Sequence, residues 1–237
     1  MLLKKYFTTL FIFLIGLSVY AQELDEYGRD LEVLTLKKKG LNKDHYNHFF
    51  LSYGFLVGET ASDSAKTLKP GSSTFQLGYL FKWRMSNWYE LGFDVMYHYS
   101  SYHIKQDSMK IVPNNRLVKK EKLVFNSLQL VPFQRFKFKN KHNSAGIFLD
   151  LGAYLGYNYR IKHQTEEINN TPSTGKTKTV NLRLKYTEDF DYGVMARVGF
   201  NRMVIYGRYR FSDLFTNKSG LPELSRIEAG IRIGLHR

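Results

Sequence analysis

The chain has 237 residues, 35 Lys and Arg against 21 Asp and Glu for a net charge of +14, and no cysteine. The lack of Cys excludes disulfides, a thiolate nucleophile, Cys-ligated zinc and a cysteine for lipid attachment. A hydrophobic share of 43% can fill a core, and a mean hydropathy of −0.37 excludes a polytopic helical membrane protein but not strands that are apolar only at alternate positions.

Residues 1–21 open with Lys4 and Lys5, continue as a mainly apolar run from Tyr6 to Tyr20, and end Val19-Tyr20-Ala21. This pattern predicts a cleaved secretory signal peptide and export by the Sec pathway, because the apolar run is too short to span a bilayer. Residues 22–45 form a separate periplasmic segment, in which Leu31, Val33, Leu34 and Leu36 lead into Lys37-Lys38-Lys39-Gly40. Its mixed charge favours a disordered lead-in over a short docking helix. No later stretch holds 18 consecutive apolar residues, so no other spanning helix is expected.

From Asn47 onward the hydrophobic period is two, which means strands. Asn47 to Gly58 puts Phe49, Leu51, Tyr53, Phe55 and Val57 on one face, with Phe50 and Leu56 as exceptions on the other. Phe75 to Arg84 opposes Phe75, Leu77, Tyr79, Phe81 and Trp83 to Gln76, Gly78, Lys82 and Arg84. Glu90 to Tyr99 opposes Leu91, Phe93, Val95, Tyr97 and Tyr99 to Glu90, Asp94 and His98. Phe125 to Phe138 is the least regular, and Pro132, which has no amide donor, predicts a bulge or strand end nearby. Ala145 to Ile161 alternates from Ile147 to Tyr159, with Asp150 and Arg160 on the polar face. Asp191 to Asn201, Met203 to Ser212 and Ser225 to His236 complete eight strands, whose polar faces carry Asp191, Arg197, Arg208, Arg210, Arg226, Glu228 and Arg232.

The connections sort by length. Glu59–Ser73, Tyr102–Lys120, Lys162–Asp189 and Asp213–Leu224 are long, and the three between them are short. That alternation predicts an all-β fold: an eight-stranded antiparallel transmembrane up-and-down β-barrel over residues 46–237, with short periplasmic turns and long extracellular loops. A soluble lipocalin-type barrel would be apolar inside, whereas here the Gly- and Arg-rich face suits a crowded interior and the aromatic face suits lipid. Trp83, Trp88 and Tyr89 flank the first short turn, and Tyr97, Tyr99, Tyr157 and Tyr159 lie near the outer strand ends, where aromatic girdles meet headgroups. Val180, Leu182, Leu184 and Tyr186 also alternate and are expected to extend the strand that begins at Asp191.

With its strand–loop rhythm, Val131-Pro132-Phe133-Gln134-Arg135-Phe136 and Tyr209-Arg210-Phe211-Ser212-Asp213-Leu214-Phe215 followed by Leu221-Pro222-Glu223-Leu224, the chain resembles the small eight-stranded outer-membrane barrels of Bacteroidota. These form the outer membrane protein beta-barrel domain, PorT-like group. The resemblance implies an integral protein of the outer membrane and no particular reaction.

The inward face gathers Lys82, Arg84, Glu90, Asp94, Arg135, Asp150, Arg160, Asp191, Arg197, Arg208, Arg210, Arg226, Glu228 and Arg232. Eight strands leave an interior that side chains fill, so these predict a salt-bridge ladder plugging the lumen, with Glu228 held among Arg208, Arg210 and Arg232. The surplus of bases supports the competing reading, a narrow anion or solute channel. His98, Ser100, Ser101 and His103 raise the possibility of a hydrolase that modifies lipid A. By parity, however, His98 faces away from Ser101 and His103, so no nucleophile–base pair is expected. The expectation is a non-enzymatic barrel with a structural or accessory role and without catalytic residues, cofactor or metal. Its expected partners are outer-membrane lipid and lipopolysaccharide, the outer-membrane assembly machinery and a larger envelope complex, and not nucleic acid. Lys105, Lys110, Lys119, Lys120, Lys176 and Lys178 in the outer loops are the expected lipopolysaccharide contacts.

Overall fold

The computed structural model describes residues 45–58, 63–68, 71–141, 144–167, 175, 177–182, 184–200 and 202–235. The expected signal peptide over residues 1–21, nearly all of the 22–45 segment, and Lys176 lie outside the described residues.

Nine strands follow in order: β1 (His45–Val57), β2 (Ser73–Arg84), β3 (Tyr89–His103), β4 (Lys120–Lys141), β5 (Ser144–Glu167), β6 (Thr177–Leu182), β7 (Phe190–Phe200), β8 (Met203–Arg210) and β9 (Ile227–Leu235). Eight of them close a ring in the order β4-β3-β2-β1-β9-β8-β7-β5, and β5 returns to β4. Every pairing is antiparallel. This is the predicted transmembrane up-and-down barrel, with short periplasmic turns and long extracellular loops.

The period-two pattern fixes the faces. Along β7 exposed and buried residues alternate without a fault, from exposed Phe190 and buried Asp191 to exposed Phe200. Along β1, Phe49, Leu51, Tyr53 and Phe55 point outward while Phe50, Ser52, Gly54 and Leu56 are buried inside. A soluble protein would not leave such a continuous apolar band in water, whereas lipid accepts it.

Three details differ from the alternation. Pro132 produces no bulge: its ladder to β5 lacks pairs at Val131 and Pro132, yet Leu130↔Leu155 and Phe133↔Gly152 keep one register. The missing donor interrupts the hydrogen bonding without displacing the strand. Shifts come elsewhere: two beyond Lys137 towards the short turn, and one higher up, where Asn126 pairs with Arg160 and Ser127 with Asn158, so that Tyr159 is an extra residue on β5. Residues 177–182 continue the line of the strand that begins near Asp191, as expected, but as a separate strand, because 184–189 is turn and not strand. They form β6, which pairs with Lys162–Glu167 along the β5 edge that β7 leaves free above Tyr157.

β4 and β5 have 22 and 24 residues, about twice what a tilted strand needs to cross a bilayer. With β6 they stand above the barrel as an extracellular wall. The loops pack at the same end. Ala65 from the first, Ile104 and Val112 from the second and Leu214, Phe215 and Leu224 from the fourth form one buried apolar cluster with Leu56, Tyr102, Leu123, Phe125 and Ile161. Isolated bridges Thr67↔Ile104 and Thr187↔Phe215 tie the loops in pairs.

Candidate functional site in the barrel lumen

Inward parity brings charges from seven strands into the lumen. Nearest the short turns, Glu90 on β3 accepts from Lys82 Nζ and Lys137 Nζ, each at 2.7 Å, with Arg135 at 3.9 Å. Arg135 spends its main contacts on Asp150, with Nε at 2.6 Å and Nη2 at 2.9 Å, a paired geometry that favours Arg over Lys. Arg197 Nε lies 3.0 Å from the same carboxylate, and Arg197 Nη1 donates to Asp94 at 2.6 Å. Asp94 also accepts from Arg232 Nη1 at 2.7 Å. Glu90, Asp94 and Asp150 are completely buried, so each carboxylate left water only because at least two cations meet it.

The layer above is built differently. Glu228 Oε1 accepts from Thr74 Oγ1 at 2.8 Å, Gln76 Nε2 at 2.7 Å and Tyr206 OH at 2.9 Å. Its Oε2 lies 3.1 Å from His98 Nε2 and 3.5 Å from Arg208 Nη1. Arg208 Nη2 instead donates to Gln129 Oε1 at 2.6 Å, and Gln129 Nε2 donates to Asp191 Oδ2 at 3.0 Å. The expected clamp of three guanidiniums on Glu228 is therefore corrected to one. Arg232 belongs to Asp94, while Arg210 reaches the Ser212 carbonyl at 2.6 Å and Glu223 at 3.1 Å, closing the base of the fourth loop.

Lys137 on β4 is a lumen charge absent from the expected set, and the other lumen residues absent from it are neutral donors and rings. Phe50, the exception in β1, lies under Arg232 with 3.7 Å from ring centroid to Cζ, and Phe148 lies equally close to Arg135. Tyr154 lies 3.9 Å from Arg208, and Phe133 4.4 Å from Arg197. Stacked rings replace part of the lost hydration of a guanidinium. Parity already placed these side chains inside, but a search limited to charges passes over them. Gly54 and Gly230 make room for one of the neutral donors: a Cβ on either would come within 2.8 Å of the Tyr206 hydroxyl.

Four expected site residues lie elsewhere. Arg160 is exposed on the outside, because the extra Tyr159 turns every following side chain over. Arg84 sits at the short-turn rim and donates to Asn87 at 3.1 Å. Arg226 precedes β9, donating to the Phe211 carbonyl and pairing with Asp213. Lys110, expected as a lipopolysaccharide contact, is buried against Glu121 and donates to the Arg116 carbonyl. Lys105 pairs with Asp107 at 3.4 Å, while Lys119, Lys120 and Lys178 are exposed.

The arrangement fills space. Above Glu228 a cavity of about 30 Å³, bordered by His98, Tyr154, Asp191 and Arg208, has room for about one water. Ser101 is buried, and its hydroxyl has no hydrogen-bond partner among the described residues, so no base activates it. Among the described residues, no three His, Cys, Asp or Glu side chains come together as metal ligands. No curated protein matches the chain. The family model described as outer membrane protein beta-barrel domain matches residues 36–214, from just before β1 to the fourth loop. The antiparallel ring with its apolar exterior agrees with that description, and the chain belongs to this family as an integral β-barrel protein of the outer membrane.

Proposed function

We propose that the protein is a closed, non-enzymatic barrel with a structural or accessory role, either reinforcing the outer membrane or anchoring its extracellular wall and loops in a larger envelope assembly. The observation that carries this reading is the double filling of the lumen. Cross-strand ion pairs occupy its middle, and the apolar cluster of Leu56, Ile104, Val112, Leu214 and Phe215 covers its loop end. A conducting path needs sites that ions enter and leave, whereas here the fixed charges neutralise one another. Residues 1–21 act as the Sec leader, and the Val131–Phe136 and Tyr209–Phe215 stretches support placement in the PorT-like group of Bacteroidota.

Planar-bilayer recording of the purified full chain tests the reading. No discrete openings are expected, either from the native protein or after Arg208→Ala. Openings in the native protein that Arg208→Ala abolishes would replace this reading with an anion channel.

A further inference from the structure

The outward face of the extracellular wall has a charge pattern opposite to that of the lumen. Lys120 and Lys122 on β4 pair across the ladder with Glu166 and Gln164 on β5, and Glu166 and Lys162 pair in turn with Lys178 and Leu182 on β6. These side chains share the face opposite buried Glu121, Leu123, Ile161 and His163. Lys120, Lys122, Lys178 and Glu166 border a groove of about 240 Å³ closed on one side by His103. Below it, the Tyr159 bulge brings Arg160 onto the same outer surface. Arg160 contributes with Lys185, Tyr157, Tyr159, Leu182 and Leu184 to an adjoining cleft of about 380 Å³.

Among the described residues, none of Lys120, Lys122, Lys162, Lys178 and Arg160 forms an ion pair, although Glu166 is nearby. Partial burial, with Lys178 and Lys162 beside it, pushes the Lys122 ammonium below the ordinary lysine value. Such a cluster repels itself, and an anion would relieve the repulsion. Its height identifies the source of that anion. The strip rises directly from Tyr157 and Tyr159, exposed rings at the outer end of the lipid-facing band. Aromatic rings there lie at headgroup level, and Lys and Arg stems above them reach down to the same depth. The neighbouring cleft joins aliphatic and aromatic surface to two cations against one carboxylate, Asp189, matching a headgroup that carries both sugar-phosphate and acyl chain.

We propose that this wall, centred on Lys122, Lys162 and Lys178 with Arg160 at its foot, docks the phosphate groups of a phosphorylated glycolipid of the outer leaflet, the lipopolysaccharide of that membrane. The site is independent of the lumen and of whether it conducts. Lys120, Lys162 and Lys178 lie in stretches that the sequence assigns to outer loops. The others become visible through the register of β4, β5 and β6.

The test uses the full chain in phosphatidylcholine nanodiscs supplied with lipid A bearing both phosphates, or with the same lipid after phosphatase treatment. Native mass spectrometry counts the lipid retained. The phosphorylated form is expected to be retained preferentially. The triple Lys122→Gln, Lys162→Gln, Lys178→Gln protein should lose retention by at least about tenfold, since each basic group near a charged surface contributes about 1 kcal/mol. The triple Lys→Arg protein should keep it, as should Lys105→Gln, whose lysine already has a partner. If the triple Gln protein does not fold, the three single Gln variants carry the test, and each must lower retention. Equal retention of both lipids, or undiminished retention by the Gln variants, would overturn the proposal. Complete displacement by millimolar inorganic phosphate would also overturn it, by revealing a site for a soluble anion.

Discussion

Arg197 on β7 and Asp94 on β3 meet at 2.6 Å in the middle of the barrel, although their strands lie nearly opposite one another in the ring. Arg232 on β9 reaches the same Asp94 at 2.7 Å, so one carboxylate braces three parts of the wall. Asp94→Asn would leave two buried guanidiniums short of charge. It should lower stability by about 3–5 kcal/mol, read as a lower urea midpoint for refolding into detergent. Replacing Asp94 and Arg232 together by apolar residues of similar volume should cost much less, because Arg197 keeps its pairing with Asp150.

Glu228 is expected to respond differently, because three neutral donors and His98 hold it along with Arg208. Glu228→Gln places an amide among groups that mostly donate, and the unsatisfied contacts should cost about 1–3 kcal/mol. Arg210→Ala should leave this cluster intact and loosen the fourth loop instead. The check is limited proteolysis, with cleavage within 211–226 rising in the Arg210 variant and not in the Glu228 variant.

Gly54→Ala and Gly230→Ala add a methyl group where the Tyr206 hydroxyl lies 2.5 and 2.8 Å from the new carbon. Tyr206 cannot withdraw without abandoning Glu228, and at Gly230 the backbone of Tyr53 and Gly54 lies closer still, so either change should cost about 1–3 kcal/mol in the same refolding assay. Gly207→Ala serves as the control, because nothing lies within 4 Å of its added carbon.

The lipid boundary can be tested at Leu151, which is exposed on β5. Leu151→Arg should hinder assembly by about 2–4 kcal/mol, as charge does near the midplane. Arg160→Leu, above the bulge, should assemble normally. Reduced heat-modifiable gel migration of the first variant alone is the expected result.

The second loop carries the pH dependence. Burial works against the charge on Glu121, but hydrogen bonds from His163, Lys110 and Gln106 outweigh it and hold the carboxyl below its usual range. A lowered carboxylate stabilises the folded form above the ordinary value of about 4.3 and loses that contribution as pH falls through the lowered one. Protection from hydrogen exchange in 105–119, taken relative to the intrinsic rate at each pH, should therefore fall on strong acidification, and Glu121→Gln should show the low protection already at neutral pH.

The barrel was legible in the sequence wherever backbone geometry is regular, because a strict period of two leaves each residue only one of two faces. Asp191 through Phe200 needed nothing more. Arg160 falls on the wrong face because one extra residue, Tyr159, inverts everything after it, and no composition signal marks an insertion between Asn158 and Arg160. The alternation of Val180 and Leu182 carries the line of β7 upward along β5, but it does not show the interruption at 184–189, where Thr187 bridges to Phe215 of the fourth loop. The lumen charges were found by parity, but their pairing was not: reach across a barrel depends on side-chain length and on rings such as Phe50 and Phe148, which alternation treats as exceptions.

The pairing of β1 with β9 has a consequence for the order of events during assembly. Phe49 lies opposite Leu235, so the ring closes between segments at nearly the two ends of the barrel sequence. Until β9 arrives, β1 and β8 each present an unpaired edge, and closing so distant a contact is slow. β9 also carries Glu228 and Arg232. Before it docks, Thr74, Gln76 and Tyr206 lack their common acceptor and Asp94 lacks one of its two cations. Wall closure and the final neutralisation of the interior are thus a single kinetic step, and a chain stopped before Ile227 would be left with two raw edges around an unbalanced interior rather than a smaller barrel.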